Sequence, residues 1–177
     1  MDQDHDFGPR FKADMPFADV PLDSPVSGQH EQHVGLSTDY LNHFGEALML
    51  IEMACSDPDM IRELCTWRPT SYREHFGTSD LRCAPAALAA YDSLDDTARR
   101  AFETLCSAMN RLVETVILTL RDIDDPAASQ PVVDVAAVAF HVLLGRATAF
   151  INSGGDMQTA AYDKIELQVA IDRIIAG

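Results

Sequence analysis

The residue most able to take part in a chemical reaction is His141. It lies in the apolar stretch PVVDVAAVAFHVLLGRATAFIN, residues 131–152. Gly145 follows four residues later, so in an α-helix it lies one turn along the same face. A glycine at that position leaves the surface beside the imidazole clear for another protein. This arrangement is typical of a histidine that accepts a phosphoryl group.

The eight residues from Phe140 to Ala147, FHVLLGRA, resemble the H-x-x-K-G segment of histidine-phosphotransfer domains, which are acidic helical bundles. The resemblance implies that His141 is a phosphoacceptor and that a receiver domain is its partner. Leu144 stands where that family has a lysine to neutralise the phosphohistidine. Arg146 is a poor substitute, because it lies about 200° round the helix from Leu144.

The polar residues of the 131–152 stretch predict a structural role for the same histidine. They lie on one line along a helix, spaced with Gly145 by seven, four, three and four residues: Asp134, His141, Thr148 and Asn152. The other positions are apolar on almost every side, which a helix tolerates only when neighbours surround it. We therefore expect a central helix in which His141 is a core residue, bonded to a backbone carbonyl, Asp134 or Asn152.

A metal site is the second kind of chemistry that the helices could hold. His43 and Glu46 are three residues apart, and Glu52 lies further along the same predicted helix. Helical bundles bind two metal ions with inward Glu side chains and E-x-x-H pairs. The order here is H-x-x-E, and the other long predicted helices have no matching pair. We therefore expect no metal and no other cofactor.

The densest group of distinctive side chains is WRPTSYREHF, residues 67–76. Ser71 and Glu74 form a capping-box pattern, which predicts the start of a short helix. The aromatic residues can anchor the segment to the core. The charged ones form either a binding edge or surface ion pairs of small energy, and we favour ion pairs. As candidates for a partner surface we name Trp67, Arg68, Tyr72, Arg73, His75 and Phe76.

Charge limits the classes of partner. The chain has 177 residues, 28 of them acidic and 13 basic, for a formal net charge of −15. Such a chain repels nucleic acid and anionic membrane surfaces, which bind proteins through Lys and Arg. The acidic first residues are unlike a signal peptide, and Asp134, His141 and Arg146 interrupt the longest apolar run. We expect a cytoplasmic, bacterial-type protein that contacts neither membrane nor nucleic acid.

The helices that position these residues are predicted from apolar residues at steps of three and four, with no alternating strand pattern. We expect an all-α bundle of about four longer helices, crossed by short helices between residues 58 and 92. Pro126 is predicted to end the longest helix, Pro131 to begin the central one, and the last to run from about residue 159 to 175.

The first 36 residues are predicted to form an extended acidic arm, because Pro and Gly recur through them, and residues 37–177 a single helical domain. Aromatic residues in the arm suggest that it docks on its own domain, a second copy or a partner. The candidates for docking are Phe7, Phe11 and Phe17.

The sequence has no G-x-S-x-G, no P-loop and no G-x-G-x-x-G. Its helices are apolar enough to suggest an extra buried face, which dimerisation would cover. We therefore expect a non-catalytic regulatory, adaptor or assembly protein that binds another protein and self-associates. The alternatives are phosphotransfer through His141 and a helical bundle that binds a metal or small ligand.

Overall fold

Helices form wherever apolar residues recur at steps of three and four. The structure, a computed structural model, describes residues 35–123 and 125–176, and within these ranges all regular structure is helical. The all-α prediction is confirmed. The predicted arm lies outside the described residues except for Gly35 and Leu36, so the docking candidates Phe7, Phe11 and Phe17 stay predictions.

A 3₁₀ turn at Thr38–Leu41 leads into the first α-helix. The α-helices follow in chain order: α1 (Asn42–Met53), α2 (Pro58–Leu64), α3 (Tyr72–Gly77), α4 (Ala84–Ser93), α5 (Asp96–Leu120), α6 (Pro126–Asn152), α7 (Met157–Ala160) and α8 (Lys164–Ala176). α6 packs against α5, α1 and α8, which makes it the central helix of the fold, as predicted.

Short-range signals set where several of these helices begin. The Ser71 hydroxyl accepts a hydrogen bond from the Glu74 N–H at 3.2 Å, and the Glu74 carboxylate accepts one from the Ser71 N–H at 2.9 Å. This confirms the predicted capping box of α3. Asp57 caps α2, where its carboxylate accepts from the Asp59 N–H at 2.9 Å. These contacts involve residues two or three apart, which is why the sequence alone predicts them.

The predicted start of the central helix at Pro131 is wrong. α6 begins five residues earlier, at Pro126, where the Asp125 carboxylate accepts from the Ala127 N–H at 2.9 Å. A proline suits the first position of a helix because the N–H it lacks would have no helical partner there. Pro131 lies inside α6, where it has no N–H to donate to the carbonyl of Ala127, a residue that is itself exposed.

The prediction of a single last helix from residue 159 to 175 is also wrong, because the helical structure is interrupted between α7 and α8. Asp163 starts a new helix there, since its carboxylate accepts from the N–H of Ile165 at 2.7 Å and of Glu166 at 3.1 Å. Ala161 before it is extended, with ψ of 132°. The break places α8 beside α6 as an independent element, and this arrangement creates the site described below.

Candidate functional site

One face of α6 is open to solvent. Val138 is 68% exposed and Val142 is 53% exposed, although α6 packs against four of the described α-helices: α1, α5, α7 and α8. The expectation that neighbours surround this helix is therefore wrong for the described part of the chain. Neighbouring helices cover the sides that carry Phe140 and Ala147, which are fully buried, and leave the opposite side uncovered.

Apolar and small side chains on this open side form a line with a regular spacing. We call it the α6 seam: Val135, Val138, Val142, Gly145 and Ala149, at steps of three, four, three and four. Where two helices pack side by side, the residues that contact the partner recur at the same alternating steps of three and four. Val135 is half-buried and the other four residues are exposed. The seam therefore has the pattern of a helix–helix contact, and no helix of residues 35–123 and 125–176 covers it.

A groove of about 430 Å³ runs between α6 and α8, beside the seam. Its walls are mainly apolar, and the α6 wall includes three residues of the seam. The apolar lining consists of Val135, Val138, Ala139, Val142 and Leu143 from α6, with Tyr162, Leu167 and Ala170 from the α8 side. Alanines on both helices keep the groove open, because they have no side chain long enough to fill it.

The charged residues of this groove are mostly acidic. Asp134, Asp163 and Glu166 line it together with a single cation, Arg173, and all four are exposed. Charges at an apolar rim remain hydrated while the apolar floor does not. The groove therefore presents an apolar floor under a net negative rim.

His141 lies at the edge of the open side, towards α1. Its side chain is 61% exposed, and its Nε2 lies 3.0 Å from a carboxylate oxygen of Glu52 on α1. The expectation that His141 is a core histidine bonded to a backbone carbonyl, Asp134 or Asn152 is therefore wrong. Glu52 shares one helix face with the exposed Met49 and Met53, so the open surface continues onto α1.

Gly145 is as open as a phosphoacceptor site requires. A Cβ at this position would meet no other atom within 4 Å. The electrostatics around the imidazole are less suitable, because the Glu52 carboxylate occupies its Nε2. Leu144 is half-buried and supplies no positive charge. The site has the access that phosphotransfer needs but places an anion where that chemistry needs a cation.

The metal candidates His43 and Glu46 do not converge on a site. The His43 ring stacks on Trp67 with 4.5 Å between ring centroids, while Glu46 is exposed and Glu52 contacts His141 instead. Burial lowers the pKa of His43 from its ordinary value of 6.5. Among residues 35–123 and 125–176, no three His, Cys, Asp or Glu side chains lie close enough together to hold a metal ion.

Three of the six residues that we named as a partner surface are core residues. Trp67, Tyr72 and Phe76 are 7%, 3% and 2% exposed, so their prediction as surface residues is wrong and their prediction as anchors is confirmed. The Trp67 indole donates to the His43 carbonyl at 3.2 Å, and the Tyr72 hydroxyl accepts from the Ser37 N–H at 2.7 Å. Burial raises the pKa of Tyr72 to about 12.

The other three candidates are already engaged within the fold. The guanidinium of Arg73 pairs with Asp92 at 2.6 Å and lies 5.2 Å from the centre of the Tyr91 ring. Arg68 donates to backbone carbonyls of its own segment, including that of Cys65 at 2.9 Å. His75 packs its ring edge-on to Phe76. The ion pair that we favoured for this segment is present.

The sequence reasoning missed the residues that form the groove, chiefly Val138, Val142, Tyr162 and Glu166. A signal for them was present in the 3-4 spacing of the seam, but the apolar character of α6 on its other sides hid it. Tyr162 and Glu166 gain their position from the break before α8, which the sequence analysis did not predict.

The composition of α6 has a further reading. Over Ala127–Asn152 this helix is long and apolar enough to cross a membrane, with a mean hydropathy of 1.6, and 33% of the tested window is buried in the fold. The central helix of a water-soluble protein can meet the same criteria, so this is weak support for a membrane span. The low burial of this apolar helix agrees with the exposure of Val138 and Val142.

Searches against known protein families, curated proteins and solved structures gave no match to this chain. The α6 seam and the adjoining groove are the features of this chain that indicate a function.

Proposed function

We propose that this chain is a non-catalytic binding protein of the cytoplasm, a regulator, adaptor or assembly factor, that binds another protein through the α6 seam and the groove beside it. The observation that carries the proposal is the exposure of Val138 and Val142 at the centre of a helix–helix contact pattern. Contiguous apolar surface of this kind marks interaction sites, because covering it gains about 25 cal/mol per Å².

Protein suits this surface better than lipid or nucleic acid does. Asp134, His141 and Arg146 are exposed beside the seam, and a lipid cover would remove the water that hydrates these polar groups. The acidic rim of the groove and the net charge of −15 oppose the phosphates of nucleic acids. A protein surface can place polar groups against the rim and apolar groups against the floor.

Site-specific photo-crosslinking tests the proposal. A photoreactive amino acid replaces Val138 in one version of the full chain and Leu118, which is 53% exposed on α5, in the control. Each version is expressed in the cells that naturally produce the chain, and adducts are mapped by mass spectrometry. We expect a defined protein adduct from position 138, absent from position 118 and lost when Val142→Asp is added.

The mapped adduct also separates a foreign partner from a second copy of this chain, since self-association is the other way to cover the seam. Either adduct supports binding through α6. Equal labelling from positions 138 and 118, or labelling at 138 that survives Val142→Asp, would contradict the proposal.

Phosphotransfer through His141 is the second candidate, and the exposed imidazole beside the open Gly145 favours it. The phosphoryl group would leave acetyl phosphate for an imidazole nitrogen, with release of acetate. The assay measures acid-labile phosphate on the full chain and on His141→Ala. Glu52→Gln removes the adjacent negative charge and is expected to increase labelling. Equal labelling of the wild type and His141→Ala excludes this candidate.

A further inference from the structure

We infer that the element that covers the α6 seam and the groove is an amphipathic α-helix with basic residues along its flank. This inference rests on the proposed function and adds the chemistry of the partner. Three features support it: the length and spacing of the seam, the small residues at one end of it, and the charge of the rim.

The dimensions of the surface match a short helix. The seam runs from Val135 to Ala149 and α8 has 13 residues. At a rise of about 1.5 Å per residue, these lengths correspond to about 20 Å, or about four helical turns. A helix of that length with apolar residues at steps of three and four would contact the seam throughout. An extended strand would match this periodicity poorly, because its side chains alternate every two residues.

The side-chain sizes indicate how such a helix would lie. Gly145 and Ala149 leave space at one end of the seam, so a partner backbone can approach closely there or insert a large apolar side chain. Val138 and Val142 project from the middle of the seam and from the part nearer Val135, next to the groove floor of Ala139. The partner would place small residues against the two valines and larger ones against Gly145.

The rim favours a basic partner over a second copy of this chain. Asp134, Asp163 and Glu166 face the groove against Arg173 alone, and the chain as a whole has a net charge of −15. The Asp163 carboxylate also caps α8, where it accepts backbone hydrogen bonds. Two copies meeting at this surface would bring like-charged rims together. Lys and Arg on the flank of a partner helix would pair with the rim and accelerate association.

The first experiment identifies the preferred ligand without assuming a sequence. A phage library of helix-biased peptides of 14 residues, the length given by about four turns, is selected on the full chain. Val138→Asp protein is used for counter-selection, since Val138 is 68% exposed and its replacement places a charge in the seam. We expect the enriched peptides to carry apolar residues at steps of three and four and an excess of Lys and Arg. Enriched peptides that lack either feature would overturn the inference.

The second experiment separates local charge from net charge. Glu166→Lys and Glu114→Lys change the net charge equally, but only Glu166 lines the groove, while Glu114 is exposed on α5. An enriched peptide should bind Glu166→Lys about fivefold more weakly than the wild type and with a smaller salt dependence. Its affinity for Glu114→Lys should change by less than about twofold. Equal losses would show attraction to an acidic protein in general, and the inference would be wrong.

Sedimentation equilibrium of the full chain tests the second copy as occupant. We expect a concentration-independent monomer. A dimer that Val138→Asp dissociates would overturn the basic-helix inference while leaving binding through α6 intact. A crosslink from position 138 that maps to a non-helical or acidic segment of a foreign protein would have the same consequence. The proposed function itself fails if position 138 labels no more than position 118 does, or if its adduct survives Val142→Asp.

Discussion

Two regions of this molecule contrast in composition and in what the fold does with them. Residues 67–76 carry tryptophan, tyrosine, arginine and histidine in one short segment, and the fold buries or pairs most of these side chains. Residues 135–149 are mainly valine, alanine, leucine and glycine, and part of this stretch is exposed along a line. The segment with distinctive residues is structural, while the chemically plain segment forms the candidate site.

The contrast has a simple physical origin. A Trp or Tyr has a large apolar area and a polar group, so it stabilises a core when the polar group finds a partner, as the indole of Trp67 does with the His43 carbonyl. A valine indicates a binding surface only when the fold leaves its side chain exposed. Residue type therefore indicates the core in this chain, and exposure indicates the binding surface.

The largest expected effect concerns the aromatic side of this comparison. Phe102 is 1% exposed and its ring stacks on Phe150 with 5.0 Å between centroids. Phe102→Ala should lower the free energy of unfolding by about 3–5 kcal/mol, because it removes a buried ring and leaves a cavity. Val138→Ala should change it by less than about 0.5 kcal/mol, because Val138 is mostly exposed.

Denaturant unfolding followed by circular dichroism measures both variants. If Val138→Ala lowered the free energy of unfolding by about 1.5–3 kcal/mol, as expected for a buried valine, another part of the chain would have to cover α6. The two regions would then not differ in exposure.

A smaller effect compares two hydroxyl groups, one from each region. Ser71→Ala should cost about 1 kcal/mol, because it removes the acceptor that caps α3. Thr148→Ala on α6 removes only a bond to the Leu144 carbonyl within the same helix, and alanine is the better helix former. Its unfolding free energy should stay the same or rise. Equal losses at both positions would mean that Thr148 has a structural role that its contacts do not show.

Glycine substitutions sharpen the comparison further. Gly145 and Gly45 both lie within helices, and a Cβ at either would meet no other atom within 4 Å. Alanine at either position should raise the free energy of unfolding by about 0.5–1 kcal/mol, since glycine is a poor helix former. Only Gly145→Ala should also weaken binding of a selected peptide. A loss of affinity in Gly45→Ala as well would place the binding surface elsewhere.

The smallest expected effect is a pH dependence of the free energy of unfolding that comes from His43, which stacks on Trp67. Burial lowers the pKa of this imidazole from 6.5, so the unfolded chain binds more protons between the folded and unfolded values. Its contribution to stability is complete above about pH 6.5 and declines as the pH falls through the folded-state pKa. His43→Phe keeps a ring against Trp67 and should remove this component. An NMR titration midpoint for His43 above 6.5 would contradict the assigned direction.

The sequence predicted those parts of the fold that depend on neighbouring residues. The α3 capping box was found because two residues three apart, Ser71 and Glu74, determine it. The start of α6 was wrong because Pro126 and Pro131 are both acceptable near a helix start, and the Asp125 contact decides between them.

The candidate site depends on contacts that neighbouring residues do not determine. An average over α6 cannot show which of its sides is covered, because this depends on where α1, α5 and α8 pack. The prediction that His141 is a core residue was wrong for the same reason. How much of its side chain is covered depends on where α1 packs against α6. Glu52, its partner, is 89 positions away in the sequence.

The proline inside α6 has a consequence for how this helix opens. Pro131 cannot donate the backbone hydrogen bond that would tie it to Ala127, so the first turn is held to the rest of α6 by fewer such bonds than an unbroken helix has. That turn can unfold locally while the remainder of α6 stays folded. Amide hydrogen exchange should therefore be faster at Val132 and Val133 than at Ala147, although all three residues are buried. Helix α6 would then consist of a short first turn that opens often and a long stable body that carries the seam.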